Sequence, residues 1–168
     1  MFQISALRRD DFDELFRLDD HELAARGAKR YRADRTPGFP CRVSLKDAEP
    51  GEQVILVPYA HQSACSPFKA SGPIFVREHA QTASIPPDTV PALLRMRVLS
   101  VRAYDAHHLM TGAEVIDGRE LELSLTRTLD NEHVSYVHVH FAGPGCYACR
   151  VDRAAESSSK GAHRAKPY

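Results

Sequence analysis

The run Tyr136-Val137-His138-Val139-His140-Phe141 places valine, valine and phenylalanine at every second position, and Gly143-Pro144-Gly145 follows one residue later. An apolar period of two fits a pleated strand and not a helix. Cys146-Tyr147-Ala148-Cys149-Arg150-Val151-Asp152 then runs back. This end of the chain is expected to form a β-hairpin. Val137, Val139 and Phe141 take its core face, and Tyr136, His138 and His140 take the other.

Turn length decides which return residues join which face, because a slip of one residue exchanges the faces. A three-residue turn, Gly143 to Gly145, sets Cys146 opposite Ala142, Ala148 opposite His140 and Arg150 opposite His138. His138, His140, Cys146 and Arg150 then share a face, while Tyr147, Cys149 and Val151 join the valines. A four-residue turn, Ala142 to Gly145, sends Cys149 to the histidines and Arg150 to the valines. An unpaired guanidinium on a core face is costly. The three-residue turn is therefore expected, with Gly145 free to adopt the left-handed conformation that such turns use.

Three chemistries fit the face so formed. His138, His140 and Cys146 are a donor set for zinc with one coordination position left open. Cys146 can instead act as a nucleophile, with His138 or His140 as base and Arg150 beside the thiolate. Arg150 and the imidazoles can also bind an anionic ligand. The plainer alternative is a half-exposed sheet face on which Cys146 only packs. The Cys146-x-x-Cys149 spacing is a weak redox signal. A reactive pair of that kind sits at a helix N-terminus, whereas a strand turns the two cysteines to opposite faces.

The rest of the chain supplies a scaffold. Phe2 to Leu7 alternates as a strand, and Asp10 or Asp11 can start a helix reaching Leu18. Asp19 or Asp20 can cap a second helix, His21 to Arg26, which Gly27 ends. Strands are expected at Ala28–Ala33, Gln53–Tyr59, Pro73–His79, Leu94–Asp105 and Leu109–Ile116. Ser44–Ala48 reads as one helical turn, Ala60–Gly72 as a loop and Gln81–Pro91 as a connector. Pro58 points to a sheet edge or exit. Leu121, Leu125 and Leu129 recur at helical spacing within Arg119–Asp130. This order predicts an α+β fold over residues 1–153, mainly an antiparallel sheet with two short N-terminal helices and one late helix. The segment from residue 154 to 168 lacks apolar periodicity and is expected to be disordered.

Lys+Arg and Asp+Glu both number 22, so the formal net charge is zero. That balance argues against general nucleic-acid binding, which needs a basic surplus. No apolar run reaches the roughly 18 residues of a membrane span. A cytoplasmic location with no membrane partner is expected, and its four cysteines are then thiols.

Three segments carry a resemblance: Pro37-Gly38-Phe39-Pro40-Cys41-Arg42-Val43-Ser44-Leu45, Ser71-Gly72-Pro73-Ile74-Phe75-Val76-Arg77-Glu78 and Pro144-Gly145-Cys146-Tyr147. In these the chain resembles the bacterial domain-of-unknown-function family numbered 1203, over most of its length up to Arg153. The resemblance implies a bacterial origin and one compact domain, and it brings no catalytic residues with it.

The resulting expectation is a domain that binds a small molecule or a partner through His138, His140, Cys146 and Arg150. Arg77 and Tyr104 are outlying candidates for ligand contact. The alternatives are an enzyme with Cys146 as nucleophile or a zinc-assisted site, and a non-catalytic protein that forms a homodimer through a sheet edge.

Overall fold

The structure is a computed structural model that describes residues 1–154. The expected disordered tail lies outside the described residues from residue 155 onward.

Among the described residues, eight strands form two antiparallel sheets. β1 (Phe2–Ser5), β5 (Val98–Tyr104), β6 (Met110–Asp117), β7 (Tyr136–Phe141) and β8 (Tyr147–Arg153) make a five-stranded sheet in the order β1-β8-β7-β5-β6. β2 (Lys29–Arg32), β3 (Gln53–Gln62) and β4 (Ala70–Arg77) make the second, with β3 in the middle. The helices are α1 (Asp20–Ala25), α2 (Ala92–Arg95) and α3 (Leu121–Asp130). No helix among the described residues is long and apolar enough to cross a membrane.

Local chemistry accounts for the best-defined elements. Asp19 accepts a hydrogen bond from the Glu22 amide at 2.8 Å, and Glu22 accepts one from the Asp19 amide at 2.9 Å. This reciprocal cap starts α1. Gly27, at φ +69°, ends it. On α3, Leu121, Leu125 and Leu129 are buried against Val137, Val139 and Val151 of the large sheet.

Three expectations give way. Arg9–Phe12 and Glu14–Arg17 are two short 3-10 turns without a side-chain cap, so the first helix does not propagate. Ser44–Ala48 is an irregular turn in which Leu45 takes φ +48°. Residues 92–95 form α2 and not the start of a strand. There Leu93 and Leu94 bury together, which a strand, turning neighbours to opposite faces, would separate.

Pro58 marks an edge only locally. β2 pairs with β3 from Gln53 to Leu56 and then stops, whereas β4 continues alongside and sets Pro73 opposite Pro58. β3 runs on to Gln62. The small sheet covers the histidine face of the large one, so both faces of β7 are buried along its whole length.

Candidate functional site

The final hairpin combines two registers. A four-residue loop, Ala142 to Gly145, is closed where the Phe141 amide donates to the Cys146 carbonyl and the Gly145 amide donates to the Phe141 carbonyl, both at 2.9 Å. Gly145 takes φ +72°. His140 then faces Tyr147, but Val139 faces Cys149 and His138 faces Arg150. Ala148 is the extra residue of a β-bulge that absorbs the difference.

The bulge divides the expected constellation. Arg150 stands opposite His138, and Cys149 joins the valines, as a three-residue turn predicts. Near the turn the pairing is that of a four-residue loop. Tyr147 therefore enters the histidine face, and Cys146 goes to the side of Phe141. The set His138, His140 and Cys146 is not assembled. Among the described residues, no three His, Cys, Asp or Glu side chains stand where they could hold a metal ion. The register sets His138 and His140 on the opposite face of the hairpin from Cys146.

The histidines instead form part of an aromatic layer between the sheets. His138 and His140 are 2% and 1% exposed, which corrects the expectation of a half-exposed face. His61 of β3 meets His140 at a centroid distance of 5.0 Å and stacks on Tyr147 at 5.4 Å. Tyr104 lies 5.1 Å from His138 and stacks on Tyr136 at 5.2 Å. Arg150 sits 3.9 Å above the Tyr136 ring and binds Asp152 at 2.7 Å. Its charge is thus met within its own strand, and Tyr104 is a packed ring.

Burial keeps these imidazoles neutral. It is the main cause that lowers His138 to about 3, reinforced by His140, His61, Arg150 and Arg102. Burial also lowers His140 to about 4, against the opposing pull of the Gly145 carbonyl. That carbonyl accepts from Nδ1 at 3.0 Å and so leaves Nε2 of His140 as the unprotonated nitrogen. Nε2 of His140, Nδ1 of His138 and Nδ1 of His61 lie buried without a protein hydrogen-bond partner.

Cys146 lines a different place. A cleft of about 630 Å³ opens between the Gly143-Pro144 turn and the Pro37–Pro40 segment. Leu56, Pro73, Phe75 and Phe141 wall it, and Arg42, Arg97 and Cys146 are its ionisable groups. Arg42, only 1% exposed, donates from Nη2 to the Cys146 sulfur at 3.0 Å and from Nε to the Tyr147 carbonyl at 2.8 Å. Its third partner is the Pro40 carbonyl. Arg97 binds both oxygens of Asp47 through one nitrogen, at 2.7 and 2.8 Å. The other thiols differ in kind. Cys149 is fully buried, and burial pushes it up to about 12. Cys41 is buried and accepts backbone N–H groups from Ser44 and Arg77 at 3.5 and 3.4 Å.

Arg77 lines a separate, wider groove of about 1180 Å³ on the other side of the Pro37 loop. Glu52 already holds it at 2.8 and 2.5 Å, which raises the arginine and lowers the carboxyl below its usual range. Three residues of the site, His61, Arg42 and Arg97, were not singled out by sequence reasoning. His61 continues the alternation Ile55, Val57, Tyr59 past Pro58, a signal that placing Ala60–Gly72 in a loop discards. Arg42 carries no local signal of burial.

These positions all fall within a known sequence family. The model of the family described as "Protein of unknown function (DUF1203)" matches residues 38–153, well over half of the chain. The chain belongs to the DUF1203 family. The match begins after β1, α1 and β2 and spans the cleft, the histidine layer and the final hairpin of this DUF1203 domain. No curated protein and no solved structure matches the chain.

Proposed function

We propose that this DUF1203 domain binds a small, largely apolar molecule in the cleft beside the final hairpin. The observation that carries this reading is the composition of the cleft. About 630 Å³ is walled by prolines, Leu56, Phe75 and Phe141, with Arg42 and Arg97 over the Phe141 ring and Cys146 against Arg42. Small-molecule sites have this character, with an apolar body of roughly 300–1,000 Å³ and a few converging polar groups. The wider groove at Arg77 fits less well, because its arginine is already matched by Glu52.

The histidine layer supports packing more than binding. Its rings fill the space between the sheets and touch one another. The ligand contacts are therefore assigned to Arg42 and Cys146, with Arg97 already matched by Asp47, and not to His138, His140 or Arg150.

The test is titration with anilinonaphthalenesulfonate, a fluorescent apolar anion. Saturable binding at one site is expected, weakened at least about tenfold by Leu56→Trp, which fills the cleft, and left intact by Gln81→Trp in the wider groove. Binding that survives Leu56→Trp, with both variants melting as the parent does, would overturn the assignment.

A further inference from the structure

The charges around Arg42 do not balance. Its guanidinium is buried, and an arginine does not escape burial by losing its proton. Two of its three partners are backbone carbonyls, which accept hydrogen bonds but carry no charge. Among the described residues no carboxylate pairs with it. A second cation, Arg97, lies close by, and both guanidiniums lie over the Phe141 ring, at 5.0 and 5.2 Å. Asp47 answers Arg97 alone. A buried cation without a counter-charge is strongly unfavourable.

One side chain in contact with Arg42 can supply that charge. Nη2 of Arg42 points at the Cys146 sulfur, 3.0 Å away. Cys146 is half-buried and lines the cleft, so its sulfur is also within reach of a small molecule. Cys41, the other thiol near Arg42, is fully buried and occupied by two backbone N–H groups.

We propose that Arg42 holds Cys146 as a thiolate and that this thiolate adds to conjugated carbonyl electrophiles entering the cleft. The proposal relies on the binding reading above only for the route of entry. In the step itself, a sulfur lone pair forms a C–S bond at the β-carbon. The C=C pair shifts to give an enolate oxygen, and the enolate then takes a proton from water. Nothing is oxidised and no group leaves. The positive charge of Arg42 favours the enolate as it forms. The sulfur meets Arg42 from the Cys41–Leu45 turn; Arg97, paired with Asp47, lines the same cleft, and Cys41 lies near Arg42. The hairpin contributes only Gly143, Pro144 and Phe141, because His140 lies on its other face.

N-ethylmaleimide is the probe, with mass-spectrometric mapping of each cysteine on the full chain. Exposed Cys65 is the internal reference. At about pH 6, Cys146 is expected to react at least roughly tenfold faster than Cys65 and to change less than about threefold up to pH 8, a range over which the rate of an ordinary thiol rises about tenfold per unit. Arg42→Lys is expected to keep most of the advantage, and Arg42→Gln to give Cys146 the pH slope of Cys65. If neither variant folds, the wild-type profile decides, together with the thiolate absorbance lost in Cys146→Ser. A Cys146 rate that tracks Cys65 in size and slope overturns the proposal. Rapid labelling without dye binding would retain the thiolate and remove the binding reading, and the converse result would do the reverse.

Discussion

His61 on the small sheet meets His140 on the large sheet edge to face, with centroids 5.0 Å apart and planes at 81°. With His138 and Tyr147 they join the two sheets through rings that carry no charge. This contact exists only while the imidazoles are neutral, since arginines and not carboxylates surround them.

Acid should therefore loosen the fold early. The unfolded chain takes up protons on His138 and His140 near their ordinary pKa of 6.5, while the folded protein resists until about 3 and about 4. The full contribution to stability is present above 6.5 and is lost as pH falls toward the folded values. At pH 5 each imidazole costs about 2 kcal/mol, and about 1.4 kcal/mol more per further unit. Urea unfolding at pH 7.5, 6 and 5 checks this. The acid limb should flatten in His138→Phe.

Tyr147 is the hub of the same layer. It is 4% exposed and touches His61, His138, His140 and Tyr59. Tyr147→Ala should cost about 3–5 kcal/mol, the range for removing a buried aromatic side chain. Its hydroxyl has no side-chain partner among the described residues, so Tyr147→Phe should stay within about 0.5 kcal/mol of the parent. Equilibrium denaturation of the two variants separates ring from hydroxyl.

Gly118 fixes the start of α3 against α2. A Cβ at this position would lie 1.9 Å from the Leu94 carbonyl oxygen and 2.7 Å from that of Arg97, and both are backbone atoms that cannot swing away. Gly118→Ala should destabilise by about 3 kcal/mol through enforced separation of α2 from α3. Gly112→Ala meets nothing within 4 Å and should be close to neutral. Thermal melts of this pair check the contact.

Where local chemistry alone decides, the sequence was a sufficient guide. The Asp19–Glu22 cap, the leucine stripe of α3, the β5–β6 hairpin and the valine face of β7 follow from neighbours in the chain. The antiparallel α+β architecture follows from their order. The candidate site depends on partners far apart. Arg42 and Cys146 are 104 positions apart, so no spacing rule connects them. The Ala148 bulge is of the same kind. It keeps Arg150 off the valine face and at the same time lets Tyr147 reach His61 and its carbonyl reach Arg42. A uniform register allows only one of these outcomes. The covered histidine face was hidden for a similar reason. Alternation in β7 distinguishes its two sides but does not reveal that a second sheet buries the polar one.

The most direct measurement joins the sulfur to the cleft. Protein labelled stoichiometrically at Cys146 with N-ethylmaleimide is titrated with anilinonaphthalenesulfonate beside unlabelled protein and Cys146→Ser. The adduct should occupy the cleft and abolish dye binding, while Cys146→Ser, which loses one contact but keeps the cleft open, should still bind the dye saturably at one site. Undiminished binding to fully labelled protein would contradict the account.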